Sequence, residues 1–103
     1  MHRDVDPLFD DLSHALPANS VVVSIPLMLF TEKSDATETW MGTHLYPGPY
    51  PGKDRSFDAI AAGRPFCRML SPLGGLVLRD PRMWHCGMPN STKSVRTMLI
   101  FVY

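Results

Sequence analysis

Ten prolines and seven glycines are spread along a chain of 103 residues, and this punctuation keeps every element short. Proline removes a backbone donor and fixes φ, while glycine loosens the chain, so neither belongs inside a long helix or a central strand. Short strands joined by turns are therefore favoured over a helical bundle. SVVVSIPLMLF, from Ser20 to Phe30, is the clearest strand: it opens with β-branched residues and is apolar on both faces, as in a covered strand. ATETW, from Ala36 to Trp40, makes a short strand before a turn at Gly42. RPFCRML, GLVLRD and PRMWH read as further short strands, and VRTMLIFVY closes the chain with the second strong β run. Between them, YPGPYPGKD (Tyr46 to Asp54) is loop by composition. SFDAIAAG reads as one short helix, with Ser56 as N-cap and Gly63 as its stop. The expectation is a mainly β domain, a sandwich or jelly roll, with one short helix inserted in a long loop.

Length allows one domain at most. A hydrophobic content of 45% against 19% charged residues suits a packed core rather than a disordered chain. Ten Lys+Arg balance ten Asp+Glu, so there is no basic field to attract nucleic acid. No apolar run reaches the roughly 20 residues needed to span a bilayer, which argues against a membrane partner. The opening MHRDVDPLFDD has acids where a signal peptide needs an apolar stretch. Cys67 and Cys86 stand far apart and outside any CxxC pattern, so a reduced intracellular setting, most simply the cytoplasm, is expected.

Chemistry enters through three places. At the start, HRD sets His2 and Asp4 one residue apart, and in an extended segment residues i and i+2 project to the same side. Near the end, His85 follows the apolar run GLVL, and Arg96 comes eleven residues later, at the start of the last β run. Each alone has an ordinary explanation. His2 and Asp4 fit a solvated terminus, and His85 fits a hydrogen-bonded surface histidine. Arg96 shares a strand face with Met98, Ile100 and Val102, and it fits a strand end whose head reaches solvent or an aspartate. Together they describe something else. Two imidazoles and one carboxylate form a facial ligand set that leaves open metal positions, as in non-haem Fe(II) oxygenases. A guanidinium nearby can grip a ligand carboxylate with two parallel bonds.

HRD followed by GLVLRDPRMWHCGMPNSTKSVR resembles the phytanoyl-CoA dioxygenase family of Fe(II)/2-oxoglutarate-dependent oxygenases. That family has an early HxD, a glycine and apolar strand before a distal WH-G-PN segment, and an arginine about eleven residues beyond. The matching positions are His2 and Asp4, Gly75 with LVLRD, Trp84 and His85 with Gly87, Met88, Pro89 and Asn90, and Arg96. DATETWMGTHL is similar to the family's stretch ending in PGSH, with Gly42, Thr43 and His44 in register and Asp35 and Met41 where the family has glycine and proline.

The resemblance implies a double-stranded β-helix, the cupin-like jelly roll. It implies His2, Asp4 and His85 as catalytic iron ligands, and Arg96 as the partner of the distal carboxylate of the cosubstrate 2-oxoglutarate. Thr37 falls where related enzymes place a hydroxyl near that cosubstrate. His44 belongs to a structural turn, and Trp84 to core packing on the strand face opposite His85. The implied reaction uses O2, decarboxylates 2-oxoglutarate to succinate and oxidises a C–H bond of a small organic substrate. Related halogenases lack the carboxylate, so Asp4 favours hydroxylation or desaturation. Family members carry a long segment before HxD, so residues 1–103 are expected to be the C-terminal catalytic part of one dioxygenase domain, a jelly roll incomplete at its N-terminus. Missing strands would leave sheet edges for a second copy or a partner chain to cover. Two rivals stand beside this reading: a cupin-type metal-binding jelly roll without 2-oxoglutarate, and a non-catalytic interaction module.

Overall fold

The computed structural model describes residues 1–5, 8–9, 14, 16–34, 36–46, 59 and 61–103. Among the described residues there are six strands: β1 (Val22–Pro26), β2 (Glu38–Trp40), β3 (Phe66–Arg68), β4 (Val77–Arg79), β5 (His85–Cys86) and β6 (Met98–Val102). They form two antiparallel sheets, ordered β4-β1-β6 and β3-β2-β5. His2 adds a β-bridge to His85 on the second sheet, with both backbone N–H···O bonds at 3.0 Å. The chain is mainly β. No described helix is long and apolar enough to cross a membrane.

Strand β1 is built from β-branched residues whose restricted χ1 suits a pleated surface. It ends at Pro26, short of the expected Phe30: one more bond, from the Leu27 N–H to the Thr97 carbonyl at 3.0 Å, ties it to the β6 run, and by Phe30 the backbone N–H has turned to the Ser71 carbonyl at 3.2 Å. Register defines two faces for its sheet. Val22 lies opposite Arg79 and Val102, and Ser24 opposite Val77 and Ile100. Val22, Ser24 and Pro26 on this face are buried. The other face carries Val23, Leu78 and Phe101 in one row and Ile25 with Leu99 in the next. Much of it is open: Leu78 is 64% exposed and Phe101 45%.

The run PRMWH is a turn followed by a strand rather than a strand throughout. Asp80 Oδ1 accepts the Arg82 N–H at 2.9 Å, an Asx-turn, and the Met83 N–H closes on the Asp80 carbonyl. Trp84 then anchors β5, with its side chain 0% exposed and its ring edge-on to Tyr46 at 5.4 Å. The Thr43 hydroxyl links the two sides of this corner, accepting the Trp84 N–H at 2.9 Å and donating to the Trp40 carbonyl at 2.6 Å. Thr43 begins a 3-10 turn, Thr43–Leu45, entered through Gly42 at φ 79, a conformation that favours glycine. His44 sits in that turn. The helix expected over Ser56 to Gly63 falls largely outside the described residues, although Ala59 and Ala61 have helical backbone. The expected loop from Tyr46 to Asp54 also lies outside them after Tyr46.

Candidate metal centre

The start of the chain meets β5. The paired bridge between His2 and His85 sets the first residue of the HxD run beside β5, and the Asp4 N–H donates to the Pro81 carbonyl at 3.0 Å. His2 and Asp4 are thereby held by the backbone of the β4–β5 connection, and the i, i+2 spacing brings imidazole and carboxylate together. His2 Nε2 is 3.5 Å from Asp4 Oδ1, and His85 Nε2 is 3.3 Å from the same oxygen. One ligand atom from each residue lies within 4.8 Å of the other two. Ligands about 2.1 Å from one ion and at right angles are about 3 Å apart, so small side-chain shifts would close this set on a metal. The donor set, two imidazole nitrogens and one carboxylate oxygen, fits Fe(II), and the three residues leave the remaining positions open.

The site opens on a cavity of about 400 Å³. Its walls come from both sheets: Val22 on β1, Arg79 on β4, Ile100 and Val102 on β6, and His85 on β5, with His2 and Asp4 at the edge. This volume is in the range of small-molecule sites. One wall is apolar and the other carries the three candidate ligands.

Arg79, absent from the site expected from sequence, is buried against it. Its Nη2 donates to Asp4 Oδ2 at 2.5 Å, and its Nη1 lies 3.2 Å from His85 Nδ1. Burial alone would raise the pKa of Asp4. The Arg79 hydrogen bond and the charges of His85, Arg79 and His2 outweigh burial and hold it below the ordinary carboxylate value. Burial also lowers the pKa of His85, and the nearby Arg79 charge adds to this against the Met83 hydrogen bond and the Asp4 charge. An ionised carboxylate beside a neutral imidazole is the protonation state that ligates metals.

His85 Nδ1 faces two groups that call for opposite tautomers, the donating Arg79 Nη1 at 3.2 Å and the accepting Met83 carbonyl at 3.0 Å. With the proton on Nε2, that nitrogen donates to Asp4 and Nδ1 accepts from Arg79. With the proton on Nδ1, it donates to the Met83 carbonyl at 3.0 Å and leaves the Nε2 lone pair facing Asp4 and His2. The second is the form that binds a metal.

The other expected site residues lie elsewhere. Arg96 stands with its guanidinium carbon 5.9 Å from the centre of the Phe30 ring, and among the described residues those lining the cavity include neither Arg96 nor Thr37. Thr37 is buried, and its carbonyl accepts the Met69 N–H at 2.9 Å. Cys67 pairs with Thr39 and Cys86 with Glu38, successive positions whose side chains leave β2 on opposite faces, so the register keeps these thiols apart. In sequence, Arg79 shares a strand face with the apolar Val77, the same charge-on-an-apolar-face pattern that marks Arg96. Compared with models of known protein families, the chain matches none.

Proposed function

We propose that the chain is the catalytic part of a non-haem Fe(II)/2-oxoglutarate-dependent dioxygenase related to the phytanoyl-CoA dioxygenase family. The observation that carries this reading is the convergence of His2, Asp4 and His85, from opposite ends of the chain, on one mouth of a cavity between two sheets. The strand order also supports a double-stranded β-helix: apart from β2 and β3, which neighbour each other in one sheet, each successive described strand lies in the other sheet, as along a jelly roll.

In this reading His2 Nε2, Asp4 Oδ1 and His85 Nε2 hold the iron. When bound, the metal supplies dioxygen activation, coupling decarboxylation of 2-oxoglutarate to succinate with oxidation of a substrate C–H bond. The chain's own residues set the geometry. Asp4 contributes the negative charge, and the Met83 carbonyl holds the Nδ1 proton of His85 so that Nε2 stays available. Val22, Ile100 and Val102 give the cavity an apolar wall that suits the carbon skeleton of a small organic substrate. The alternation that turns Ile100 and Val102 to the cavity puts Arg96 on the same side of the β6 run, and we assign its guanidinium to the distal carboxylate of the keto acid. Cys67 and Cys86, held apart as free thiols, suit a reducing intracellular compartment.

A second reading follows from the same coordinates. Arg96 over Phe30, away from the cavity wall, favours a cupin-type metal-binding jelly roll that uses no keto acid. Incubation with Fe(II), 2-oxoglutarate and O2 separates the two. Succinate formation above a metal-free control is the expected result; iron binding without succinate would leave the second reading.

A further inference from the structure

Asp4 presents its two oxygens to different neighbours. Oδ1 faces the Nε2 atoms of His2 and His85 at 3.5 and 3.3 Å, while Oδ2 takes the Arg79 Nη2 bond at 2.5 Å. Arg79 is 8% exposed on β4, opposite the buried Val22, and among the described residues Asp4 is its one carboxylate partner. A buried guanidinium requires such a partner, and a carboxylate bound by one is fixed in direction as well as charge. The same guanidinium reaches His85 Nδ1 at 3.2 Å, so one side chain touches two of the three candidate ligands.

Resting on the metal reading above, we propose that Arg79 is a positioning residue: it occupies Asp4 Oδ2 so that the carboxylate offers a metal one oxygen only. A carboxylate free at both oxygens can chelate and take two coordination positions. Held at Oδ2, Asp4 takes one, and the position it gives up stays open for small ligands. Arg79 thereby sets how many places the centre leaves open, without being a ligand.

The test uses Co(II) alone as the probe, because its visible absorption reports coordination number and needs no turnover. The parent chain is titrated beside Arg79→Met, Arg79→Lys and the control Arg68→Met, with folding checked by circular dichroism. Arg68 is paired with Glu38 at 3.1 Å on the sheet that carries His85, and neither is a candidate ligand or lines the cavity, so its loss removes a part-buried ion pair and leaves Asp4 and its Arg79 partner in place. Arg79→Met should bind Co(II) about 10–100-fold more weakly, the range for lost support of a metal ligand, with an altered visible band. Arg79→Lys, which keeps a cation but loses the fork, should fall between parent and Arg79→Met. Arg68→Met should change thermal stability and leave the Co(II) spectrum alone. Folded Arg79 variants that match the parent in affinity and spectrum would overturn the proposal while leaving the metal reading intact. If Arg79→Met does not fold, Arg79→Lys carries the same test: a weaker, altered centre supports the proposal and parent-like values overturn it. A parent chain that binds no Co(II) overturns the metal reading, and this proposal with it.

Discussion

Single side chains decide most of the chemistry. Alternation along extended backbone sets His2 and Asp4 on one side, a rule that needs no knowledge of the rest of the fold. His85 joins them through a backbone bridge across more than eighty residues, which leaves no local mark in the sequence. Arg96 belongs to the same scale. If it anchors the keto acid, Arg96→Ala should weaken 2-oxoglutarate binding by roughly 2–5 kcal/mol and leave iron affinity nearly unchanged. Calorimetric titration of the iron-loaded protein measures this, and equal keto-acid affinity in the variant would return Arg96 to packing on Phe30. Arg79 was harder to read. Its position before Asp80 suggests a local pair, yet Asp80 is taken by Arg82 at 2.7 Å and Arg79 turns to Asp4 from the far end of the chain. A partner so distant in sequence leaves no local spacing to find.

Elements were legible where composition dominated and less so at their ends. All six strands lie within or at the end of runs expected to be extended, because β-branched and apolar residues have few other ways to pack between proline and glycine. The ends depend on backbone partners: past Pro26 the chain leaves β6 for the Ser71 carbonyl, and the Asp80 Asx-turn delays β5 to His85. The Thr43–Leu45 turn was expected only as a turn, because its 3-10 geometry depends on a Thr43 hydroxyl bonded to a strand residue and to Trp84. The β4–β5 connection gives a test. Asp80 accepts three hydrogen bonds from Arg82, and although burial pushes its pKa up, these bonds and the Arg82 charge hold it below the ordinary carboxylate value. Asp80→Asn should therefore cost about 1–3 kcal/mol at neutral pH. A lowered folded-state pKa means this stabilisation is present above the ordinary carboxylate pKa and lost as pH falls through the folded one. Thermal melts of parent and variant should converge in acid; a gap that stays constant down to acid pH would show that the charge is not the cause.

The molecule as a whole is thinly cored for its apolar content. Among the described residues, fully buried apolar side chains are few, led by Trp84 and Val22, while Leu78, Leu99, Phe101 and Tyr103 are 64%, 46%, 45% and 79% exposed. These four lie on or beside the sheet β4-β1-β6, where β6 pairs with β1 alone among the described strands. An open apolar edge is a template for pairing, so the chain should self-associate, with light scattering giving a mass above the monomer that rises with concentration. A compact monomer at high concentration would mean the face is covered within one chain. Whatever its partners, the account depends on three ligands chosen from four histidines and ten acids. Iron(II) titration of the parent beside Asp4→Ala, His85→Ala and His44→Ala tests that choice most directly. Asp4→Ala and His85→Ala should lose tight binding while His44→Ala, altered only in its 3-10 turn, keeps it. Parent-like binding by Asp4→Ala together with loss in His44→Ala would contradict that choice.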